Sequence, residues 1–400
     1  MRRLGCWHDR RMTDRARPGA PSALREQNRS RVIQALRSHG DLTQADLARE
    51  TGLATATVSN IVRALIAAGT IAVDDSGRRR KVHLAREAGY VVGIDHGHRH
   101  IRVAVSDLSH SILAETRAEL TAEMTAEEGM TLAASLLTSV LNRSGVDRST
   151  VVGVGLGLPA PIERATGRVG SPSILPGWVG VDASELAGAI LDLPVRVKVG
   201  NDANLGALAE RRWGAGIGVS DMVYLKLSEG VGAGLIINGE IYSGMAGTAG
   251  EVGHTTTDEF GDVCRCGNRG CLETVVSAGR VARLLESTLG RRATIAEIAD
   301  QARLGQRACV RVLEDVGRQV GRALADLCNV FNPELILVGG ELAQASPILI
   351  PAIRGVVDRC GVPSATATLK IAPSKLGART HILGAIALAL EGTPQATFTS

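Results

Sequence analysis

The sequence predicts a mixed α/β protein in which a small, basic helical module precedes a larger layered body. Residues 1–90 carry 17 Lys and Arg against 9 Asp and Glu, whereas the rest of the chain carries 28 against 32. From residue 90 onward, apolar runs of strand length alternate with amphipathic segments, the pattern of α/β layers. A chain of 400 residues is also too long for one ordinary core, so more than one domain is expected.

The composition excludes two classes of protein. No apolar run reaches the length of a membrane span, and residues 1–25 are rich in arginine but lack the apolar core of a secretory signal. We expect a cytoplasmic protein with a disordered basic tail over 1–25 and a flexible tail over 392–400. The seven cysteines are odd in number and three of them cluster, which favours a reduced compartment with a metal site over a disulfide framework.

Three helices are predicted in the module over residues 26–86. The segment NRSRVIQALRSHG has apolar residues on one face and a stop signal at Gly40. The second helix begins at Thr43, which with Asp46 fits a capping box, and ends at Gly52. The third helix lies in LATATVSNIVRALIAAG. Its apolar positions at helical spacing are Val58, Ile61, Val62, Leu65 and Ile66. Its other face suits phosphates and base edges, with Thr55, Thr57, Ser59, Asn60 and Arg63.

A basic hairpin follows the third helix. TIAVDD and RKVHLA are predicted to be its strands, and its tip carries Arg78, Arg79, Arg80 and Lys81. Three helices and a basic hairpin predict a winged helix-turn-helix, with the third helix in the major groove and the wing on the backbone or in the minor groove. The alternative is a small helical domain with a solvated charged loop, because charge runs alone are weak evidence. The capped second helix, the three-residue turn and the basic wing together favour DNA binding.

The body over residues 90–391 is predicted to consist of strands, turns and helices in alternation. YVVGIDHG, IRVAVSDL and SILAETRAEL are three successive strands, and a helix runs from about Thr125 to Asn142. VVGVGLGLPAP is a buried strand meeting a Gly/Pro turn, and VRVKVGNDANLGALAERRWG is a strand, a polar turn and a helix. MVYLKLSEGVGAGLIINGEIYSG gives two strands around a glycine turn, and PELILVGGEL gives a strand that ends on two glycines.

The most specific motif of the body is EVGHTTTDEFGDVCRCGNRGCLE. It resembles the zinc segment of the ROK family, named for repressors, open reading frames and kinases, and the resemblance extends over about residues 26–391. The resemblance implies a two-lobed actin-like, RNase H-like sugar-kinase fold. The first lobe would cover about 90–198 plus a C-terminal helix over about 376–391, and the second lobe about 199–375.

The resemblance also implies the ligands of a zinc ion. They are His254, Cys264, Cys266 and Cys271. Three thiolates and one imidazole suit tetrahedral zinc with no open coordination position, so the expected role of the metal is structural.

A sugar pocket follows from the same resemblance. Its residues would be Asn201, Asp202, Glu251, His254 and Glu273. Carboxylates accept charge-assisted hydrogen bonds from sugar hydroxyls, and zinc on one nitrogen of His254 would fix the other as a donor. Taken alone, Glu251 or Glu273 would equally fit a surface carboxylate or a helix N-cap. In family kinases the aspartate that matches Asp202 acts as the general base.

Two turns that hold nucleotide phosphates in the family kinases are altered in this chain. The family's D-x-G-G-T-K is replaced by the run from Asp95 to His100, which lacks the second glycine, the threonine and the lysine. In the second turn, SEGVGAG, Glu229 brings a carboxylate beside the phosphates. Phosphoryl transfer depends on positioning the phosphates, so the sequence argues against efficient use of ATP. Arg99, with His98 and His100, would alternatively suit a sugar phosphate, but pairing of Arg99 with Asp95 or another cleft carboxylate is favoured.

These features predict a sugar-responsive transcriptional regulator, a repressor of carbohydrate genes, with structural zinc and no kinase activity. It would bind a palindromic operator as a homodimer or homotetramer and associate with the nucleoid, with a sugar or sugar phosphate as effector. One alternative is a bifunctional ROK sugar kinase with an attached DNA-binding domain. Another is a ligand-independent regulator with a vestigial pocket, against which the complete set of pocket residues argues.

Overall fold

The computed structural model describes residues 21–74, 80–85, 89–120, 124–170 and 175–391. The chain divides into two compact units, with the boundary between residues 88 and 89. Arg78 and Arg79 lie outside the described residues, as do residues 1–20 and 392–400 of the two predicted tails. No helix in the described part of the chain is long and apolar enough to cross a membrane.

The first unit contains three helices and a two-stranded sheet. The elements are α1 (Pro21–His39), α2 (Gln44–Thr51), α3 (Thr55–Ala67), β1 (Ile71–Asp74) and β2 (Lys81–Leu84). Strands β1 and β2 are antiparallel, with Ile71 opposite Leu84, and Leu42 exchanges two backbone hydrogen bonds with Val82. Helix α1 begins five residues before the predicted boundary at residue 26, because proline is favoured in a first turn and Ala, Leu, Arg, Glu and Gln are good helix formers.

Buried side chains from all three helices form the core of this unit. They are Val32, Ile33, Leu36, Leu47, Val58, Val62 and Leu65. The predicted capping box holds the start of α2: Thr43 Oγ1 accepts from Asp46 N at 3.2 Å, and Asp46 Oδ2 accepts from Thr43 N at 3.2 Å. Ile66, one of the five apolar positions of α3, lies outside this core and is 38% exposed. The buried positions of α3 recur at spacings of four and three residues, and Ile66 lies one residue beyond that stripe.

The second unit is built on two five-stranded sheets with the same topology. The first sheet has the order β5-β4-β3-β6-β7, and the second has the order β10-β9-β8-β11-β12. In each sheet the first three strands in sequence are antiparallel neighbours, and the last two add in parallel. Parallel addition requires a crossover connection, which helices supply in both halves.

The elements of the first half follow the predicted order. They are β3 (Tyr90–His96), β4 (His100–Asp107), β5 (Ile112–Glu119), α4 (Ala126–Ser144), β6 (Val151–Leu158), α5 (Ala183–Leu191) and β7 (Val197–Asn201), with short 3-10 turns at Arg148–Thr150 and Pro176–Trp178. A capping box between Thr125 and Glu128 starts α4. Strand β7 runs three residues past the lobe boundary expected near residue 198.

The second half contains more helix. Its elements are α6 (Asp202–Trp213), β8 (Met222–Leu227), β9 (Val231–Ile237), β10 (Glu240–Ile241), α7 (Leu272–Val276), α8 (Ala278–Leu289), α9 (Ile295–Arg303), α10 (Arg307–Phe331), β11 (Leu335–Gly339), α11 (Ser346–Cys360), α12 (Pro363–Thr366), β12 (Lys370–Pro373) and α13 (Thr380–Leu390). Further 3-10 turns lie at Val252–His254, Glu341–Ala345 and Gly377–Arg379.

Helices α6 and α13 link the two sheets. α13 packs on β3 and β6 of the first sheet, α6 packs on β8 and β9 of the second, and the two helices pack against each other. The contact with β6 is close enough to require glycine, since a Cβ on Gly155 would stand 2.0 Å from the backbone oxygen of Ala385. Helix α6 begins directly after the end of β7, and polar residues of the site lie at this junction.

Candidate ligand pocket, metal centre and DNA interface

All five residues assigned to the sugar pocket line one pocket. They are Asn201, Asp202, Glu251, His254 and Glu273. The pocket lies where β7 meets α6, beside the start of β9 and the segment from Gly247 to His254. The sequence expectation thus describes a real spatial cluster of residues that are up to 72 positions apart.

Asn201 is held by structural hydrogen bonds. Its Oδ1 accepts from the N–H groups of Ala203 and Asn204 at 2.9 and 3.2 Å, which caps helix α6. Its Nδ2 donates to the backbone oxygen of Ala160 at 3.1 Å. Asn201 therefore fixes the start of α6, and with it the position of Asp202, the first residue of that helix.

A lysine that the sequence analysis missed contacts Asp202. The ammonium of Lys226 donates to Asp202 Oδ2, and the two side chains are 11% and 8% exposed. Lys226 lies in β8 within MVYLKL, a strand that is buried throughout. A lone charge inside a fully apolar strand run is a signal that sequence reasoning could have used, because buried charges need a partner.

An arginine of the metal segment holds Glu273. Arg265 Nη2 is 2.9 Å from Glu273 Oε1, and the N–H of Val231 donates to Glu273 Oε2 at 2.9 Å. Arg265 also lines the pocket and was not assigned from the sequence. Because Arg265 lies between Cys264 and Cys266, the segment that holds the metal-site cysteines also places a guanidinium group in the pocket.

Glu251 lies where its charged form is disfavoured. Burial, with the charges of Asp202 and Glu273, raises the pKa of Glu251 to about 7. His254 Nε2 lies 3.7 Å from Glu251 Oε2. The pocket thus combines three carboxylates with two cations, and its acceptor oxygens are suited to the hydroxyl groups of a polar ligand.

The four residues assigned to a metal site form one cluster. The ligand atoms of His254, Cys264, Cys266 and Cys271 all lie within 4.8 Å of one another. Cys264 Sγ is 3.5 Å from His254 Nδ1, and Cys266 Sγ is 3.6 Å from Cys271 Sγ. Tetrahedral zinc with Zn–S bonds of about 2.3 Å requires sulfur atoms about 3.8 Å apart, so the cluster has dimensions that fit this ion.

The chemistry of the thiols and the backbone agrees with a cation at this cluster. Burial and the neighbouring thiols Cys266 and Cys264 raise the pKa of Cys271 to about 12, so a bound cation would be needed to ionise all three sulfurs. The loop can wrap this tightly because residue 270 is glycine. Its φ is 67°, and a Cβ there would stand 1.5 Å from the backbone oxygen of Asp258. The cluster could hold a metal ion, with His254 Nδ1 on the metal side and Nε2 on the pocket side.

The turn between β3 and β4 has its own buried carboxylate. Asp95 is 3% exposed, and its Oδ2 lies 3.1 Å from His100 Nε2. Burial alone would raise the pKa of Asp95, but the hydrogen bond from His100 and the charge of His381 outweigh it and lower the pKa to about 2. Asp95 is therefore a carboxylate paired inside the protein.

Arg99 pairs with a carboxylate of the cleft, as favoured from the sequence, and its partner is Glu229. Arg99 Nη2 is 2.5 Å from Glu229 Oε1. The sequence left open whether Arg99 pairs with Asp95 or with another carboxylate of the cleft. Its partner is Glu229, and Asp95 pairs with His100 instead.

The first unit presents the predicted polar face of α3. Thr55, Asn60 and Arg63 are exposed, and Thr57 and Ser59 are half-buried. Three residues separate α2 from α3, as predicted. Arg80 and Lys81 are exposed at the start of β2, whereas the rest of the basic tip, with Arg78 and Arg79, lies outside the described residues.

Comparison with family models assigns both units. Residues 91–392 match the model of the ROK family, and residues 25–72 match a winged helix-turn-helix DNA-binding model. This chain belongs to the ROK family. The resemblance drawn from the sequence and the predicted fold class, a winged helix-turn-helix followed by a ROK kinase-like body, are confirmed.

Two curated relatives resemble the ROK chain over nearly its whole length. The xylose repressor of Caldicellulosiruptor bescii is 29% identical, covering 93% of this chain and 97% of the relative. The DNA-binding transcriptional dual regulator NagC of Escherichia coli K12 is 30% identical, covering 93% of this chain and 94% of the relative.

Two solved ROK structures show what the fold resembles. A ROK family transcriptional regulator, a homologue of the E. coli Mlc protein, has a TM-score of 0.75 at 26% identity and covers 92% of this chain and 96% of its own. A ROK family glucokinase from Streptomyces griseus, in complex with glucose and AMPPNP, has a TM-score of 0.66 at 26% identity and covers 76% of this chain and 100% of its own. The body thus resembles both regulators and kinases, while the resemblance that includes the first unit is to regulators.

Proposed function

We propose that this protein is a sugar-responsive, DNA-binding transcriptional repressor of genes for carbohydrate metabolism or transport. The observation that carries the proposal is the presence, in one chain, of a winged helix-turn-helix with an exposed polar recognition helix and a body with five clustered polar pocket residues. Relatives that match over more than nine-tenths of the chain are named as a xylose repressor and a transcriptional regulator, which supports it. Ligand binding between the sheets would change DNA affinity.

In the pocket, Asp202, Glu251 and Glu273 would accept hydrogen bonds from sugar hydroxyls, and Asn201 would keep Asp202 in place. Lys226 and Arg265 neutralise two of the carboxylates, which allows three acids to share one pocket. The metal cluster would be a structural zinc site formed by His254, Cys264, Cys266 and Cys271, with no open coordination position. Zinc would orient the His254 ring so that Nε2 faces the pocket.

The DNA interface would be α3 together with the wing. Thr55, Thr57, Ser59, Asn60 and Arg63 would face the major groove, and Arg78, Arg79, Arg80 and Lys81 would contact the phosphate backbone. A homodimer or homotetramer that reads a palindromic operator would place the protein on the nucleoid in the cytoplasm. We also propose the two lobes stated from the sequence, over about 90–198 with 376–391 and about 199–375, as the parts that close on the sugar.

Two measurements on the purified, metal-loaded full chain test the proposal. In the first, thermal unfolding is followed with xylose, glucose, N-acetylglucosamine and their phosphates. A ligand at about a hundred times its Kd should add about 2.7 kcal/mol of stability. In the second, genomic fragments retained by the protein are sequenced with and without the stabilising ligand. The expected result is a palindromic sequence whose retention changes with that ligand. No stabilisation by any sugar, or no sequence enrichment, would contradict the proposal.

A bifunctional sugar kinase is the second candidate, because Asp202 is present and a ROK glucokinase shares the fold of the body. Coupled detection of ADP with the same sugars separates the two. We propose that the protein is no kinase, so turnover of about 1–100 per second would overturn that part. The Lys226 ammonium supports our choice, because it already occupies one oxygen of the Asp202 carboxylate, the group that would act as the base in a kinase.

A further inference from the structure

The two turns that depart from the kinase pattern meet through their altered residues. Arg99 lies between β3 and β4 of the first sheet, and Glu229 lies between β8 and β9 of the second. The residues are 130 positions apart in sequence, and their side chains form an ion pair at 2.5 Å. The two departures are therefore complementary, and the pair joins the two sheets.

The Glu229 carboxylate also lies against the amino end of a helix. A Cβ on Gly279, the second residue of α8, would stand 2.7 Å from Glu229 Oε2. The N–H of Ala278, the first residue, donates to the backbone oxygen of Ser228 at 2.9 Å. The amino end of a helix carries partial positive charge. The carboxylate thus has a guanidinium on one side and a helix amino end on the other, which are the surroundings that a bound phosphate prefers.

We propose that Arg99 and Glu229 are specificity-determining residues that exclude nucleotides from the body. The Glu229 carboxylate acts as an internal substitute for a nucleotide phosphate: it takes the guanidinium and the helix end that an incoming anion would need. A triphosphate would have to displace Glu229 and would still meet its negative charge. The sugar pocket is then left to respond to sugar alone. This inference rests on the proposed function, because it explains how that pocket works without nucleotide.

The exposure of the pair separates this role from a stabilising one. The Arg99 and Glu229 side chains are 57% and 20% exposed, and ion pairs in contact with water contribute little to folding. Loss of the pair should therefore leave the protein folded and change its affinity for anions. Both residues can therefore be replaced while the protein keeps its folded ligand pocket.

The test is binding of AMPPNP with Mg²⁺ to the full, metal-loaded chain, measured by calorimetry, with adenosine as the phosphate-free comparison. Glu229→Gln keeps the shape of the side chain and removes its charge. We expect this variant to bind AMPPNP at least about tenfold more tightly than the wild type, with adenosine affinity unchanged. Adding Arg99→Ala to that variant should abolish the gain. Glu297→Gln, which breaks the exposed pair of Arg291 and Glu297 in the same half of the body, is the matched control and should not change AMPPNP binding.

Equal AMPPNP affinity of the wild type and Glu229→Gln would overturn the inference, as would an equal gain in the Glu297→Gln control. Thermal stabilisation by sugars is measured on the same samples. A wild type that no sugar stabilises would contradict the proposed function, while the AMPPNP comparison would still decide on the pair. Sugar stabilisation without a gain in Glu229→Gln would refute only the present inference.

Discussion

Replacing Lys226 by methionine should destabilise the body strongly, because it leaves a buried carboxylate without its cation. Lys226 and Asp202 are both buried, and their side chains form an ion pair. Removing one partner of a buried pair costs about 3–5 kcal/mol, whereas replacing both by neutral groups is often nearly neutral. We therefore expect a large loss for Lys226→Met, a comparable loss for Asp202→Asn, and about 1 kcal/mol or less for the double variant.

Differential scanning calorimetry of the metal-loaded chain without sugar measures this effect. The second unit begins at residue 89 and is described to residue 391. About 300 residues at about 2.1 cal/mol/K each give an unfolding entropy of about 0.6 kcal/mol/K. A loss of about 3–5 kcal/mol then lowers the Tm of the body by about 5–8 °C. The argument that the pair is buried and coupled would be refuted by a Tm decrease of less than about 2 °C in Lys226→Met. It would also be refuted if the stability loss of the double variant equalled the sum of the losses of the two single variants.

Sugar affinity provides a second readout of the same residues. Asp202→Asn removes a charge-assisted acceptor, so it should weaken binding of the effector by about 1.5–3 kcal/mol. The double variant recovers stability but not this acceptor. Recovery of stability without recovery of sugar affinity would separate the structural part of Asp202 from its part in ligand recognition. Full recovery of both would show that Asp202 does not contact the sugar.

Three further outcomes follow from other parts of the molecule. Arg80→Ala with Lys81→Ala should weaken binding to all DNA sequences and reduce the slope of log affinity against log salt by about one per lost contact; an unchanged slope in filter binding would contradict the wing assignment. Cys266→Ser should lose the metal and the sugar response together, because the neighbouring Arg265 is the ion-pair partner of Glu273 in the pocket. A full metal content of this variant by atomic absorption would count against the metal site. The pKa of Asp95 is lowered to about 2, so its ionised form stabilises the fold above the unfolded pKa of about 3.9, and this contribution is lost as pH falls through 2. Asp95→Asn should therefore be less stable than the wild type at pH 7, with a difference that shrinks below about pH 4; a difference independent of pH in urea titrations would refute this.

Local signals were enough to predict much of the fold. The capping box of Thr43 and Asp46 and the apolar stripe of α3 depend on residues within one or two turns of each other. The three strands of the first sheet that follow one another in sequence are also neighbours in space. Apolar character alone did not show which positions of α3 are buried: Val58, Val62 and Leu65 are buried, whereas Ile66 is exposed.

Long-range pairing of charges could not be predicted in the same way. Arg99 and Glu229 meet because two turns on different sheets face each other, and no local pattern records that. Lys226 gave a usable signal as a charge in a buried strand, but its partner Asp202 follows from the topology of β8 and α6. Arg265 was not assigned because it lies between Cys264 and Cys266, and metal binding by these cysteines already gave the segment a function. The pocket residues themselves were found because the family resemblance supplied their spatial relation.

Two paired cations of the body share a physical role that bears on how a kinase-like body can serve a regulator. Lys226 neutralises Asp202 in the pocket, and Arg99 neutralises Glu229 at the altered turns. A kinase site must attract a nucleotide carrying several negative charges and leave its base free to accept a proton. Here Lys226 and Arg99 are already paired with carboxylates of the chain, so an anionic nucleotide would gain little from these two cations on entering. A neutral sugar needs only oriented acceptors and donors, which paired carboxylates still provide through their remaining lone pairs. Under the proposed function, pairing of charges inside the chain is the physical means by which a kinase-like site would respond to sugar without nucleotide.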